Sequence, residues 1–162
     1  DAGALDIQLA PMDLSDCLAS RLADADRWLV DSGLTLTEKI EPGIMIRGDA
    51  QRLRQLWNNL LDNSCAYTQP PGELRVTLTT QKGEAVVTWE DSTPGVPEGE
   101  LARLTERLYR VEGSRSRASG GSGLGLSIAS ALVNAHGATL TPSPSTLGGL
   151  RWTLRFPLLA AN

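Results

Sequence analysis

From Gly120 to Ile128 the sequence reads Gly-Gly-Ser-Gly-Leu-Gly-Leu-Ser-Ile and runs straight into a helical pattern that reaches His136. Glycines at 121, 123 and 125 leave backbone N–H groups free at a helix start. The helix macrodipole adds positive potential there, so the segment can hold a phosphate. Two familiar phosphate loops are excluded. Counting Gly-x-Gly-x-x-Gly from Gly121 puts Leu126 at the last glycine, and no lysine follows the glycines as a Walker loop requires. The alternative is a flexible linker, but linkers do not end in Leu-Gly-Leu-Ser-Ile leading into a helix.

Three further groups of residues have types and spacing suited to chemistry. At about 100° per residue, Leu53, Leu56, Trp57, Leu60 and Leu61 share one helical face, with Asn58 and Asp62 pointing to solvent. Asn59 and Asn63, spaced i and i+4, stack on the border of that face, and Arg52 and Gln55 continue the same edge. Two carboxamides in register there either supply an oxygen to a hard cation such as Mg²⁺ or are polar boundary residues. In Trp89-Glu-Asp91-Ser-Thr-Pro-Gly95-Val-Pro97, an Asp at a strand end can accept from an exocyclic amine such as that of adenine. Gly95 would let the backbone approach a flat ring; the alternative is an Asx-turn into Pro97. Lastly, residues 103–117 carry Arg103, Arg107, Arg110, Arg115 and Arg117 against Glu106 and Glu112, a local excess of three positive charges. This run is either a solvated face or, placed just before the glycines, a lid whose arginines fold over phosphates. His136, before Gly137, reads as a helix C-terminal cap.

The elements that must position these groups alternate along the chain. Residues 5–10 are expected to form a strand. A helix capped by Asp13 or Ser15 follows, ending near Gly33, and then a strand in which Leu34, Leu36 and Ile40 alternate with polar residues. After a turn at Glu41-Pro-Gly, Ile44–Ile46 extend again, and Asp49 caps a second helix that runs to about Tyr67 and stops at Gln69-Pro-Pro-Gly. Residues 73–80 and 84–90 form a hairpin around Gln-Lys-Gly. A short helix spans about 97–108, residues 124–136 are helical, and strands at 138–141 and 149–156 close the chain. Grouped hairpin strands and helices favour a two-layer α+β sandwich over a doubly wound parallel sheet.

The 162 residues suit one domain, with 41% hydrophobic and 21% charged residues arguing against disorder. The net charge of −4 excludes a general nucleic-acid or anionic-membrane binder. No run approaches the roughly 18 to 20 apolar residues of a membrane helix. Cys17 and Cys65 lack metal-type spacing and are expected as free thiols in a reducing compartment. The first residues read as mid-protein sequence, so a longer parent chain is expected.

Taken in order, the four groups resemble the catalytic, ATP-binding domain of bacterial sensor histidine kinases, within the GHKL superfamily that also holds gyrase-type and heat-shock chaperone ATPases. The resemblance runs from about Asp13 to Pro157. The stretch from Arg107 to Ile128 is most similar to the envelope-stress sensors of that family. It implies a Bergerat-type fold: a two-layer α/β sandwich with a mixed, mostly antiparallel sheet and helices on one face. Residues 13–158 would be the ATP-binding domain, and residues 1–12 a linker and first strand leading from a dimerisation domain. By the same resemblance Asn59-Leu-Leu-Asp-Asn63 matches the N box, with Asn63 binding Mg²⁺, Asn59 beside the phosphates and Tyr67 flanking the nucleotide. Asp91 would bind the adenine amine, with Gly95 under the ring. Arg107, Tyr109 and Arg110 would belong to the lid, with Arg110 near the phosphates. Gly121, Ser122, Gly123, Leu124, Gly125 and Leu126 would shape the phosphate site.

The hydrolysing relatives have a water-activating Glu at the place of Asn59, and an amide cannot act as that base. A kinase is therefore expected, with a nucleotide-binding docking module and a hydrolysing ATPase as the rival functions. The implied partners are an acceptor-histidine dimerisation domain and a response regulator, with the parent in the inner membrane and this domain in the cytoplasm. His136-Gly-Ala does not match an acceptor motif, so the chain alone is not expected to phosphorylate itself. Three positions depart from the family pattern: Ala66 replaces a phosphate-facing cation, Thr93 a glycine of the adenine box, and Thr105 the lid's usual Phe. Residues 113–122, poor in apolar anchors, are expected to be poorly ordered without nucleotide.

Overall fold

The computed structural model describes residues 6–68, 70–92 and 122–159; for residues 66, 67 and 122–127 it describes the backbone alone. The expected short helix at 97–108, the arginine segment and the order of residues 113–121 lie outside the described residues, as do Thr93, Gly95 and Thr105. The first strand, β1 (Ala10–Asp13), pairs antiparallel with β3 (Met45–Gly48) in a small two-stranded sheet. The expectation of a strand over residues 5–10 is therefore corrected. The apolar alternation of Leu5, Ile7 and Leu9 imitates a strand, but pairing begins only where β3 lies opposite, at Ala10↔Gly48.

Helix α1 (Leu14–Asp31) starts at Asp13, whose carboxylate accepts from the Asp16 amide at 2.8 Å. Ser15 does not cap it: its hydroxyl donates to the Glu41 carbonyl and accepts from the Ile44 amide, fastening the turn before β3. Gly33, at φ +81°, turns the chain into β2 (Leu34–Ile40). A Cβ there would stand 2.7 Å from Pro70 Cβ, so the position also needs the space of glycine. Helix α2 (Ala50–Tyr67) has the expected bounds. Asp49 caps it, Oδ1 accepting from the amides of Gln51 and Arg52.

Strands β4 (Gly72–Gln81) and β5 (Glu84–Asp91) form the expected hairpin, turned by Lys82 and Gly83, both at positive φ as a type I′ turn requires. Helix α3 (Ser122–Ala135) begins two residues earlier than the apolar pattern indicates. Strands β6 (Thr139–Pro144) and β7 (Leu150–Pro157) complete a five-stranded sheet ordered β2-β4-β5-β7-β6. Among the described strands of this sheet only β2 and β4 run parallel; the other pairs are antiparallel. The fold is the expected α+β sandwich with a mixed, mostly antiparallel sheet.

One sheet face is apolar. Register places Leu78, Val87 and Leu154 side by side, then Val76, Trp89 and Trp152, and all six are buried in the core shared with the helices. The opposite face carries a row of threonines, Thr77, Thr88, Thr153 and Thr141. Next to it runs a row with Arg75, Glu90 and Arg151. Such alternation is what a sheet covered on one side produces.

Candidate functional site

The edge of α2 read from the sequence exists. Leu53, Leu56, Trp57, Leu60 and Leu61 are fully buried, Asn58 and Asp62 are exposed, and Asn59 lies half-buried at the rim. Asn63 goes further in than a boundary residue, at 3% exposure. Its Oδ1 is buried without a hydrogen-bond partner among the described residues, and so is Nδ2 of Asn59. A buried amide oxygen that nothing meets costs roughly 1–3 kcal/mol, so this position, where the helix pattern aligns both carboxamides, favours a group that can supply a partner.

Asp91 ends β5 on the apolar, helix-facing side and is 2% exposed. The Leu150 amide donates to its Oδ1 at 3.2 Å, pinning the carboxylate against the start of β7. Two residues earlier, Trp89 donates its indole N–H to the Ser64 hydroxyl at 2.9 Å. Ser64 directly follows Asn63, so this bond ties the helix end carrying the carboxamides to the strand end carrying the carboxylate. The rings of Trp89 and Trp57 stack with centroids 6.4 Å apart and fix the same alignment.

Toward its start, the same edge of α2 is occupied. Arg52 donates from Nη1 to Gln55 Oε1 and from Nε to the Asp6 carbonyl. A groove of about 710 Å³ lies there, lined by Gln8, Met12, Gly48, Asp49, Arg52 and Gln55, one to two turns before Asn59. Among the described residues no three His, Cys, Asp or Glu side chains gather as a metal cage. A hard cation held by one amide oxygen together with phosphate oxygens needs no such cage, and the bare Oδ1 of Asn63 fits that role.

Of the other residues singled out in the sequence, Ser122, Gly123, Leu124, Gly125 and Leu126 belong to the first turns of α3, and Tyr67 ends α2. Gly95, Arg107, Tyr109, Arg110 and Gly121 lie outside the described residues. Cys17 and Cys65 are free, and burial pushes both thiols up. One role exceeded its expectation. His136 caps α3, its Nδ1 lying 2.8 Å from the Leu132 carbonyl, and its Nε2 also accepts from the Asp49 amide at 3.1 Å. The only sequence signal for that second bond was the position of a lone histidine at a helix end.

Residues 48–160 match the family described as histidine kinase-, DNA gyrase B-, and HSP90-like ATPase. The chain belongs to this family. Within it, the sensor histidine kinases are the relatives. The chain is 42% identical over 158 residues to the signal transduction histidine-protein kinase BaeS of Escherichia coli, covering 98% of this chain and 34% of that one. This ATPase-family domain thus spans about a third of that relative. Among solved structures it matches the mycobacterial sensor histidine kinase MprB at 25% identity and a TM-score of 0.73, covering 95% of this chain and all of that one. It also matches full-length ShkA in complex with AMPPNP at 25% identity and a TM-score of 0.76, covering 98% and 33%. The domain is the catalytic, ATPase-family part of the sensor histidine kinases, as the resemblance implied. No described helix of it is long and apolar enough to cross a membrane.

Proposed function

We propose that this domain binds ATP with Mg²⁺ and transfers the γ-phosphoryl group to a histidine on a separate dimerisation domain of a sensor kinase, from which a response regulator takes it. The parent is then an inner-membrane sensor with this domain in the cytoplasm. The observation that carries the reading is the buried Oδ1 of Asn63, which, like Nδ2 of Asn59 one turn earlier, has no hydrogen-bond partner among the described residues. That ShkA was solved in complex with AMPPNP supports an adenine nucleotide as ligand.

In this reading Asn63 holds Mg²⁺ through its bare carbonyl oxygen, and Asn59 donates to a phosphate oxygen. Bound there, the cation neutralises phosphate charge. Asp91, held by the Leu150 amide, accepts from the adenine amine, with Gly95 under the ring and Tyr67 at its flank. The first turns of α3, with Gly121 to Leu126, offer N–H groups to the phosphates, and Arg107, Tyr109 and Arg110 close over them. Asn59 cannot take a proton from water, so the phosphoryl group is kept for a histidine acceptor, and catalysis is positioning and charge neutralisation.

His136 is not the acceptor. It is 5% exposed, with both ring nitrogens engaged. The test incubates the chain with γ-labelled ATP and Mg²⁺, with and without a sensor-kinase dimerisation domain bearing its acceptor histidine. Label on the added domain, and none on the chain alone, is expected. Nucleotide binding without label transfer would make this a docking module, and steady release of phosphate without acceptor would make it an ATPase.

A further inference from the structure

We propose that His136 is a positioning residue for the nucleotide site: a neutral imidazole that clamps the end of α3 to the start of α2 and so holds the two walls of that site in register. The proposal rests on the nucleotide reading above. Both ring nitrogens face a main-chain group. Nε2 receives the Asp49 amide hydrogen, so it carries no proton of its own. Nδ1 faces the Leu132 carbonyl, which only accepts, so Nδ1 bears the hydrogen. The two neighbours together select one tautomer of the uncharged ring.

The bond to Asp49 joins residues 87 apart in sequence and lies at a junction. Asp49 caps α2 through Oδ1, while its Oδ2 accepts from the Gln8 amide of the segment before β1. With the start of α2 held at the end of α3, the two packed helices run antiparallel. At 1.5 Å per residue, Asn59 and Asn63 stand about 15 and 21 Å along α2 from the clamp, and Ser122 stands about 21 Å back along α3. The carboxamides and the glycine-bearing helix start therefore lie level with each other at the far end of the pair.

Ala129, Leu132 and Val133 of α3 and the leucines of α2 are buried in the same apolar core. Apolar contact of this kind is non-directional and does not by itself fix how far one helix has slid along the other. The hydrogen bond does, because it tolerates only a few tenths of an ångström. A row of rings carries the constraint onward. His136 packs edge-on against Phe156 at 6.2 Å, Phe156 against Trp57 at 6.4 Å, and Trp57 stacks on Trp89, whose indole N–H reaches Ser64 beside Asn63.

Two substitutions separate the bonds. His136→Asn keeps a donor near the Leu132 carbonyl but cannot reach Asp49. In His136→Gln the longer side chain places its amide oxygen where Nε2 accepts from Asp49. ATP-Mg²⁺ affinity is expected to fall about tenfold in His136→Asn, the value of one lost hydrogen bond, and to return to within about twofold of wild type in His136→Gln. Nitrogen NMR of the wild-type imidazole should show the Nδ1–H tautomer. Hydrogen exchange at the Asp49 amide should be slow in wild type and His136→Gln, and fast in His136→Asn. Wild-type affinity in His136→Asn, equal losses in both variants, or an Nε2–H ring would overturn the proposal. Absence of nucleotide binding by the wild type is a failure of the function reading instead, and the exchange and tautomer measurements then decide the clamp independently. If His136→Asn does not fold, the wild-type tautomer together with the affinity and Asp49 exchange of His136→Gln decide it: an Nε2–H ring, or fast exchange with weakened binding in His136→Gln, overturns the proposal.

Discussion

Two buried polar groups of this domain, Glu90 on one side of the sheet and Asn63 on the other, have opposite surroundings. Glu90 is 4% exposed and fully engaged: Ser145 donates to Oε1 at 2.8 Å, Arg151 lies 3.3 Å from the same oxygen, and Arg75 lies 3.5 Å from Oε2. Arg75 also donates to Thr146, drawing the β6–β7 loop into the cluster. Burial works to raise the Glu90 carboxyl, but the Ser145 hydroxyl and the two guanidiniums outweigh it and hold the group below its usual range. Asn63 is equally buried, and its oxygen has no partner among the described residues. The Glu90 carboxylate is met by a hydroxyl and two guanidiniums, although Nε of Arg151 finds no aligned hydrogen bond, whereas the Asn63 oxygen is open to a ligand.

Substitutions on the two sides should therefore fail in different assays. The largest effect is expected for Asp91→Asn. The Leu150 amide orients the new carbonyl toward itself, which would turn an NH₂ donor toward the place proposed for the adenine amine. ATP affinity should drop about 10- to 100-fold in a calorimetric titration, the range for hydrogen bonds to charged groups, with the melting midpoint little changed. Glu90→Gln should do the reverse, losing about 2 kcal/mol of stability in denaturant unfolding with ATP affinity intact. If Glu90→Gln weakened ATP binding as much as Asp91→Asn, the division between the two faces would be wrong.

The pH dependence sharpens the same contrast. A carboxyl whose folded pKa is depressed stabilises the fold above its unfolded pKa, about 4.3 for Glu, and that stabilisation is lost as pH falls through the folded value. Wild type should lose stability on acidification below about pH 4.3 more steeply than Glu90→Gln. Asp49 contributes with the same sign: the Gln8 amide above all, with those of Arg52 and Gln51, holds its carboxyl low. The smallest effect is expected for Asp49→Ala, about 1 kcal/mol for a lost N-cap by thermal unfolding. The main-chain donor to His136 survives that substitution, so ATP affinity should change less than in His136→Asn.

What the sequence revealed were features encoded locally. Asp49 followed by a leucine stripe carries its own cap and period, so α2 and the border position of its two asparagines were legible. Lys82-Gly83 specifies its own turn, and the hairpin followed. The extra depth of Asn63 was not legible, because helical period alone cannot say how far the sheet wraps around a helix edge. The Glu90 cluster was hidden for another reason: its partners sit on β4, β7 and the β6–β7 loop, brought together only by sheet register. The bond from His136 to Asp49 is the extreme case, joining two helix ends whose adjacency depends on the whole antiparallel packing. The strand misplaced at residues 5–10 shows the converse, since local alternation was present and a pairing partner was not.

The role of Asn63 shows most plainly in the Mg²⁺ dependence of ATP binding by wild type and Asn63→Ala. Wild type should bind ATP more tightly with Mg²⁺ than with a chelator. Asn63→Ala should lose this gain while melting no lower than wild type, since the substitution removes a buried amide oxygen that has no partner among the described residues. Equal Mg²⁺ dependence in the two proteins would contradict that role.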